Sequence, residues 1–222
     1  MYKILFIDEE QDDIDSFFDY IEEKDVDGEF EIKSVLPSKS LEEMVEEIIS
    51  YHPDAIVTDF MLNEIKTLID YNIPYNGVEL VEEILMQREG FPCFVITSFD
   101  DEAISKSDDV NLVYIKGILH GTEIESKAKA SFLDRVKNQI IHYQTNLVTA
   151  ENRIIELLQK KEETALNANE EEELIHLDGL IEKALDKRYN IASHIKTESE
   201  SESLTQLLNK VDELTQNLKN KG

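Results

Sequence analysis

The chain is short of positive charge, of cysteine and of long apolar runs, and each shortage excludes a class of function. Among 222 residues there are 22 Lys and Arg against 49 Asp and Glu, a formal net charge of -27. A nucleic-acid binder draws its affinity from clustered cations on phosphates, so this balance argues against one. The acidity is uneven: residues 1–122 hold 8 basic and 30 acidic side chains, residues 123–222 hold 14 and 19. Neither half offers the basic recognition helix of a DNA-binding domain. The single cysteine, Cys93, excludes a disulfide within the chain, and its setting in "FPCFVIT" reads as a small buried residue of a strand. No apolar run approaches the length of a membrane span, and the opening "MYKILFIDEEQDD" turns acidic too soon for a signal peptide. A cytoplasmic protein without a membrane partner is the expectation. The five histidines show no metal spacing, and no P-loop or nucleophile elbow is present, so a hydrolase is not expected.

What is present falls into two halves. Short apolar runs punctuate the first: 2–7, 30–35, 55–58, 93–98 and 111–115. Most are continuous, which suits strands covered on both faces, whereas "FEIKSV" alternates and reads as an edge. Helical spacing lies between them over 12–24, 40–50 and 77–89, with Ser38 or Ser40 as the N-cap of the second. This alternation predicts a five-stranded parallel sheet, doubly wound and flavodoxin-like, with helices on both faces. Ligands of such sheets bind outside the carboxyl ends of the strands.

From Glu123 the chain has no proline and only Gly179 before its final residue. Apolar residues at Leu133, Val136, Ile140, Tyr143, Leu147, Ala150, Ile154 and Leu157 keep steps of three and four. A second stripe, Ile141, Val148 and Ile155, predicts contact with a further neighbour. Asn169 followed by Glu172 suggests a new helix start, and Leu204, Leu207, Val211, Leu214 and Leu218 form a third stripe. The expected organisation is a first domain over 1–122, a long helix over 123–166 that extends into a bundle, and two further helices within 167–222. The heptads make a homodimer a reasonable expectation.

The carboxylates stand where a parallel sheet builds its site. Asp8 and Glu9 follow the first strand, Asp59 ends the third, Thr97 the fourth, and Lys116 follows the fifth. Oxygen ligands of this kind suit a hard dication such as Mg2+, and an ammonium beside it would offset charge on a phosphoryl group. The set resembles the receiver domain of two-component response regulators over roughly residues 1–122. The resemblance implies that Asp59 is the phosphoacceptor, supplied by a histidine kinase or phosphotransfer protein. It also implies that Asp8, Glu9, Asp59 and the main-chain carbonyl of Met61 hold Mg2+, that Thr97 senses the phosphoryl group and that Lys116 pairs with it. The chain would then be a phosphorylated regulator rather than an enzyme, acting on an output protein through its helical half.

Four departures from the family pattern favour the alternative of a pseudo-receiver scaffold that is never phosphorylated. Glu9 replaces a second aspartate, Asn63 and Gly117 stand where prolines are usual, and Val113 stands where the family has an aromatic residue. Between Asp59 and Gly77 the linker is also longer than the family's, and the extra residues, within 63–76, are expected over the mouth of the pocket.

Overall fold

The computed structural model describes residues 1–62, 68–98, 113–116 and 131–185. The chain divides into two compact units, Met1–Tyr143 and Gln144–Gly222.

The first unit is an α/β structure. Its strands are β1 (Tyr2–Ile7), β2 (Phe30–Val35), β3 (Ala55–Asp59) and β4 (Cys93–Thr97), to which a three-residue segment, β5 (Val113–Ile115), adds beside β4. All pairings are parallel, in the order β2-β1-β3-β4-β5. The alternating strand β2 lies at an edge, as its sequence predicts. β3 and β4 are buried at every position, which explains why their sequences are continuously apolar.

The connections from β1 and from β3 run in opposite directions across the sheet, so the crevice between them opens at the carboxyl ends of β1 and β3. Helices α1 (Gln11–Lys24), α2 (Leu41–Tyr51) and α3 (Gly77–Gln87) flank the sheet. One core joins Leu5, Ile7, Ile56, Cys93 and Val95 to α2 and α3. On the opposite face Ile4, Phe6, Val57, Phe94 and Ile96 meet α1 and the residues Phe132, Leu133, Val136 and Ile140. Phe6 stacks on Phe17 with ring centroids 4.2 Å apart. Ser40 caps α2, its hydroxyl accepting from the Glu43 amide at 3.2 Å.

A 32-residue helix, α4 (Phe132–Glu163), begins in the first unit and ends in the second. Within the second unit Ala150, Ile154 and Leu158 pack with Ile181, Leu174 and Leu177 of α5 (Ala168–Leu185). Asn167 and Glu170 form the reciprocal cap of α5: the Asn167 side chain accepts from the Glu170 amide, and the Glu170 carboxylate from the Asn167 amide. The helix therefore starts ahead of Asn169, at Ala168, with Asn167 rather than Asn169 forming the box. Ile141, Val148 and Ile155 are partly exposed, at 41%, 40% and 37%. The expected helix start at 123 and the stripe 204–218 lie outside the described residues. No helix among them is long and apolar enough to cross a membrane.

The linker between β3 and α3 is built into the core. Ile69, Ile73 and Tyr75 are buried with α2 and α3. The Tyr71 hydroxyl donates to the Pro37 carbonyl at 2.8 Å and the Tyr75 hydroxyl to Ser38 at 2.9 Å, fastening the linker to the loop before α2. Residues 63–67 of this linker lie outside the described residues. If the described part is core rather than surface decoration, Ile73→Ala will lower stability by about 2–5 kcal/mol in urea unfolding. A change under about 0.5 kcal/mol, the usual range at a surface position, would show that the linker packs loosely.

Candidate functional site

β1 runs apolar to Ile7 and then releases Asp8 and Glu9 at the carboxyl edge of the sheet, where both are fully buried. β3, hydrogen-bonded alongside, ends in Asp59, which is 5% exposed. A carboxylate oxygen from each of Asp8, Glu9 and Asp59 lies within 4.8 Å of the others. Lys116, directly after β5, reaches across to this group: its Nζ is 2.9 Å from Asp59 Oδ1 and 3.3 Å from Asp8 Oδ2. It also donates to Asp13 Oδ2 from the first turn of α1. Asp59 Oδ2 accepts the Met61 amide at 2.8 Å, and Asp8 Oδ1 accepts the Glu10 amide at 2.9 Å. Thr97 is buried at the end of β4.

These positions set the electrostatics. Burial pushes the Asp8 carboxyl up to about 7; the Lys116 ammonium pulls it down, and the charge on Asp59 raises it again. Burial likewise raises Asp59, against the opposing pull of Lys116 and of the Met61 and Phe60 amides. For Lys116 burial disfavours the charged form, but Asp59 and Asp8 outweigh it and hold the ammonium above its ordinary range.

Three carboxylates thus gather around one ammonium, with Glu9 beside two of them, leaving negative charge in a low-dielectric pocket. The donor set fits a hard dication: three acidic side chains supply oxygens from two adjacent strand ends at mutual distances one ion can span. Asp8, Glu9 and Asp59 would hold it, and the longer side chain of Glu9 converges with the other two. Met61 stands next to this group with its amide on Asp59; that amide, rather than its carbonyl, is the contact seen.

Two contributors were not legible as site residues. Asp13 reads in sequence as an acid favoured in the first turn of a helix, and nothing in its spacing announces Lys116, more than a hundred residues away. Gly77 reads as the opening of α3, which it is, but it also lies against Asp59. A β-carbon at Gly77 would fall 2.0 Å from the Asp59 carbonyl oxygen, and the Gly77 amide donates to Phe60 at 2.9 Å. The long linker therefore returns to the strand end it left. Asn76 then caps α3 with a box closed by Glu79.

No family model matches the chain, and no curated protein matches it significantly. The function is argued from the site itself.

Gly77→Ala forces either Asp59 or the start of α3 to move, since its neighbour is backbone. The expected result is a loss of about 2 kcal/mol or more in stability together with a weaker Mg2+-dependent thermal shift. A variant as stable as the wild type, with an unchanged shift, would show that the approach is slack.

Proposed function

We propose that the chain is a phosphorylation-dependent regulator of the receiver type, with Asp59 as phosphoacceptor and Mg2+ as its cofactor. The observation that carries this reading is the convergence of Asp8, Glu9, Asp59 and Lys116 at the carboxyl edge of a parallel sheet, with the ammonium 2.9 Å from Asp59. The strand order, with its reversal between β1 and β3, supports a flavodoxin-like assignment of the first unit.

In this reading an Asp59 carboxylate oxygen attacks the phosphorus of a phosphohistidine on a kinase or phosphotransfer protein. An O–P bond forms, the N–P bond breaks, and its electron pair stays on the imidazole, which takes up a proton. Mg2+ supplies charge neutralisation for the phosphoryl oxygens during transfer. Lys116, 2.9 Å from Asp59 Oδ1, would pair with the phosphoryl group, and Thr97, at the end of β4, is the hydroxyl assigned to sense it. The output is contact with another protein through the helical half, in the cytoplasm, without nucleic acid. The partly exposed Val148 and Ile155, seven residues apart on α4, support a homodimer.

A pseudo-receiver scaffold remains the second reading. Asp59 is only 5% exposed, so a donor reaches it only if the site opens.

Intact-mass analysis after incubation with Mg2+ and acetyl phosphate separates the two. The expected result is one phosphoryl adduct in the wild type, none in Asp59→Asn, and a Mg2+-induced thermal stabilisation that the variant loses. Mg2+ stabilisation without any adduct favours the scaffold.

A further inference from the structure

One member of the carboxylate group is not at a strand end. Asp13 belongs to the first turn of α1, where the Ile14 amide donates to the Glu10 carbonyl at 3.0 Å. Two further ties of this turn run into the site. The Glu10 amide donates to Asp8 at 2.9 Å, and Asp13 accepts from Lys116.

An ammonium has three N–H donors. Those of Lys116 face three carboxylates: Asp13, Asp59 at 2.9 Å and Asp8 at 3.3 Å. A phosphoryl group on Asp59 brings close to two negative charges and three strong acceptor oxygens into the same space. Once esterified, Asp59 is no longer a carboxylate, and its share of Lys116 passes to phosphoryl oxygens of greater charge, which draw the ammonium toward them and weaken its hold on the other two acids. The side chains of Asp8 and Asp59 are 0% and 8% exposed, whereas that of Asp13 is 24% exposed. Water can take the place of the ammonium only at Asp13, which makes its release the least costly.

We propose that Asp13 is a positioning residue that shares the Lys116 ammonium with Asp59, and that charge arriving at Asp59 draws the ammonium off Asp13 and loosens the first turn of α1. This rests on the receiver reading above and adds a route by which the modified state reaches the surface. The route runs from Asp59 through Lys116 to a helix with exposed acids and a partly exposed Phe18. It does not require an aromatic residue at position 113, where this chain has Val113.

The test is amide hydrogen exchange of the full chain with and without Mg2+ and fluoroberyllate, a non-covalent phosphoryl mimic, followed in peptides covering residues 9–18. Fluoroberyllate binding is read on the same samples by fluorine NMR. In the wild type, binding is expected to speed exchange in these peptides by about two- to fivefold, the scale of one partly exposed ion pair. Asp13→Asn is expected to show the faster exchange already without ligand, with little further change on addition. Asp13→Glu, which keeps the charge, should restore the ligand-dependent response. A wild type that binds fluoroberyllate with no change in α1 overturns the inference and leaves the receiver reading standing. So does an Asp13→Asn protein whose α1 exchanges like the wild type without ligand. If the wild type binds no fluoroberyllate, the receiver reading fails and this inference falls with it.

Discussion

The Lys116 ammonium is the group on which the arrangement of the site depends. It touches carboxylates from β1, α1 and β3, at positions 8, 13 and 59, while itself following β5. None of these segments holds the cluster alone. Three buried carboxylates within 4.8 Å of one another repel, and burial penalises each charge before repulsion is counted. One cation offsets part of this, and the Asp8 carboxyl still rises to about 7. An arrangement this unfavourable persists because the two cores of the first unit, each closed on one face of the sheet, fix the strand ends. The apolar interior holds the acids in place, and the acids leave the site short of positive charge, which is the condition under which a dication binds.

The backbone enforces the same proximity from another direction. The chain leaves β3 at Asp59, packs Ile69, Ile73 and Tyr75 into the core with α2 and α3, and returns so that Gly77 lies against the Asp59 carbonyl. Only a residue without a β-carbon permits that approach. Gly77 is needed for lack of bulk rather than for an unusual φ, and a linker of any length must end in such a residue if α3 is to begin there. The linker is long, yet its described part is held by two tyrosine hydroxyls and three buried side chains, a structural role consistent with its Leu, Ile and Tyr residues.

The legible features were those set by short-range rules. Continuous apolar runs marked β1, β3 and β4 because both faces of those strands are covered, and alternation marked β2 because an edge strand is covered less. The acids at strand ends were legible because a carboxylate interrupting an apolar run must leave the sheet there. Features that depend on what lies opposite were not. Along α4 the steps of three and four continue unbroken, but Val136 and Ile140 meet the sheet while Ala150 and Ile154 meet α5. Periodicity shows that a face is buried and does not say against what. Ile141, Val148 and Ile155 have the same spacing yet are left partly exposed, so an apolar stripe alone does not establish a buried face. Asn169 with Glu172 has the spacing of a capping box, but Asn167 with Glu170 has it too, and the box that forms is the earlier one.

The chemistry of Asp59 follows from this setting. A carboxyl that holds its proton is no nucleophile, and burial alone pushes Asp59 toward holding it. Lys116 at 2.9 Å and the Met61 amide at 2.8 Å work the other way, favouring the ionised form without exposing it to water. A dication among Asp8, Glu9 and Asp59 would act in the same direction and more strongly, because its charge is double and its ligands are already gathered. Under the proposed function, metal binding and activation of Asp59 would be one event at this site rather than two. The ammonium cannot serve both functions at full strength, since its three donors are divided among three acids. Asp13 is one of those three, so a residue outside the sheet contributes to the charge balance of Lys116 and Asp8 at its carboxyl edge.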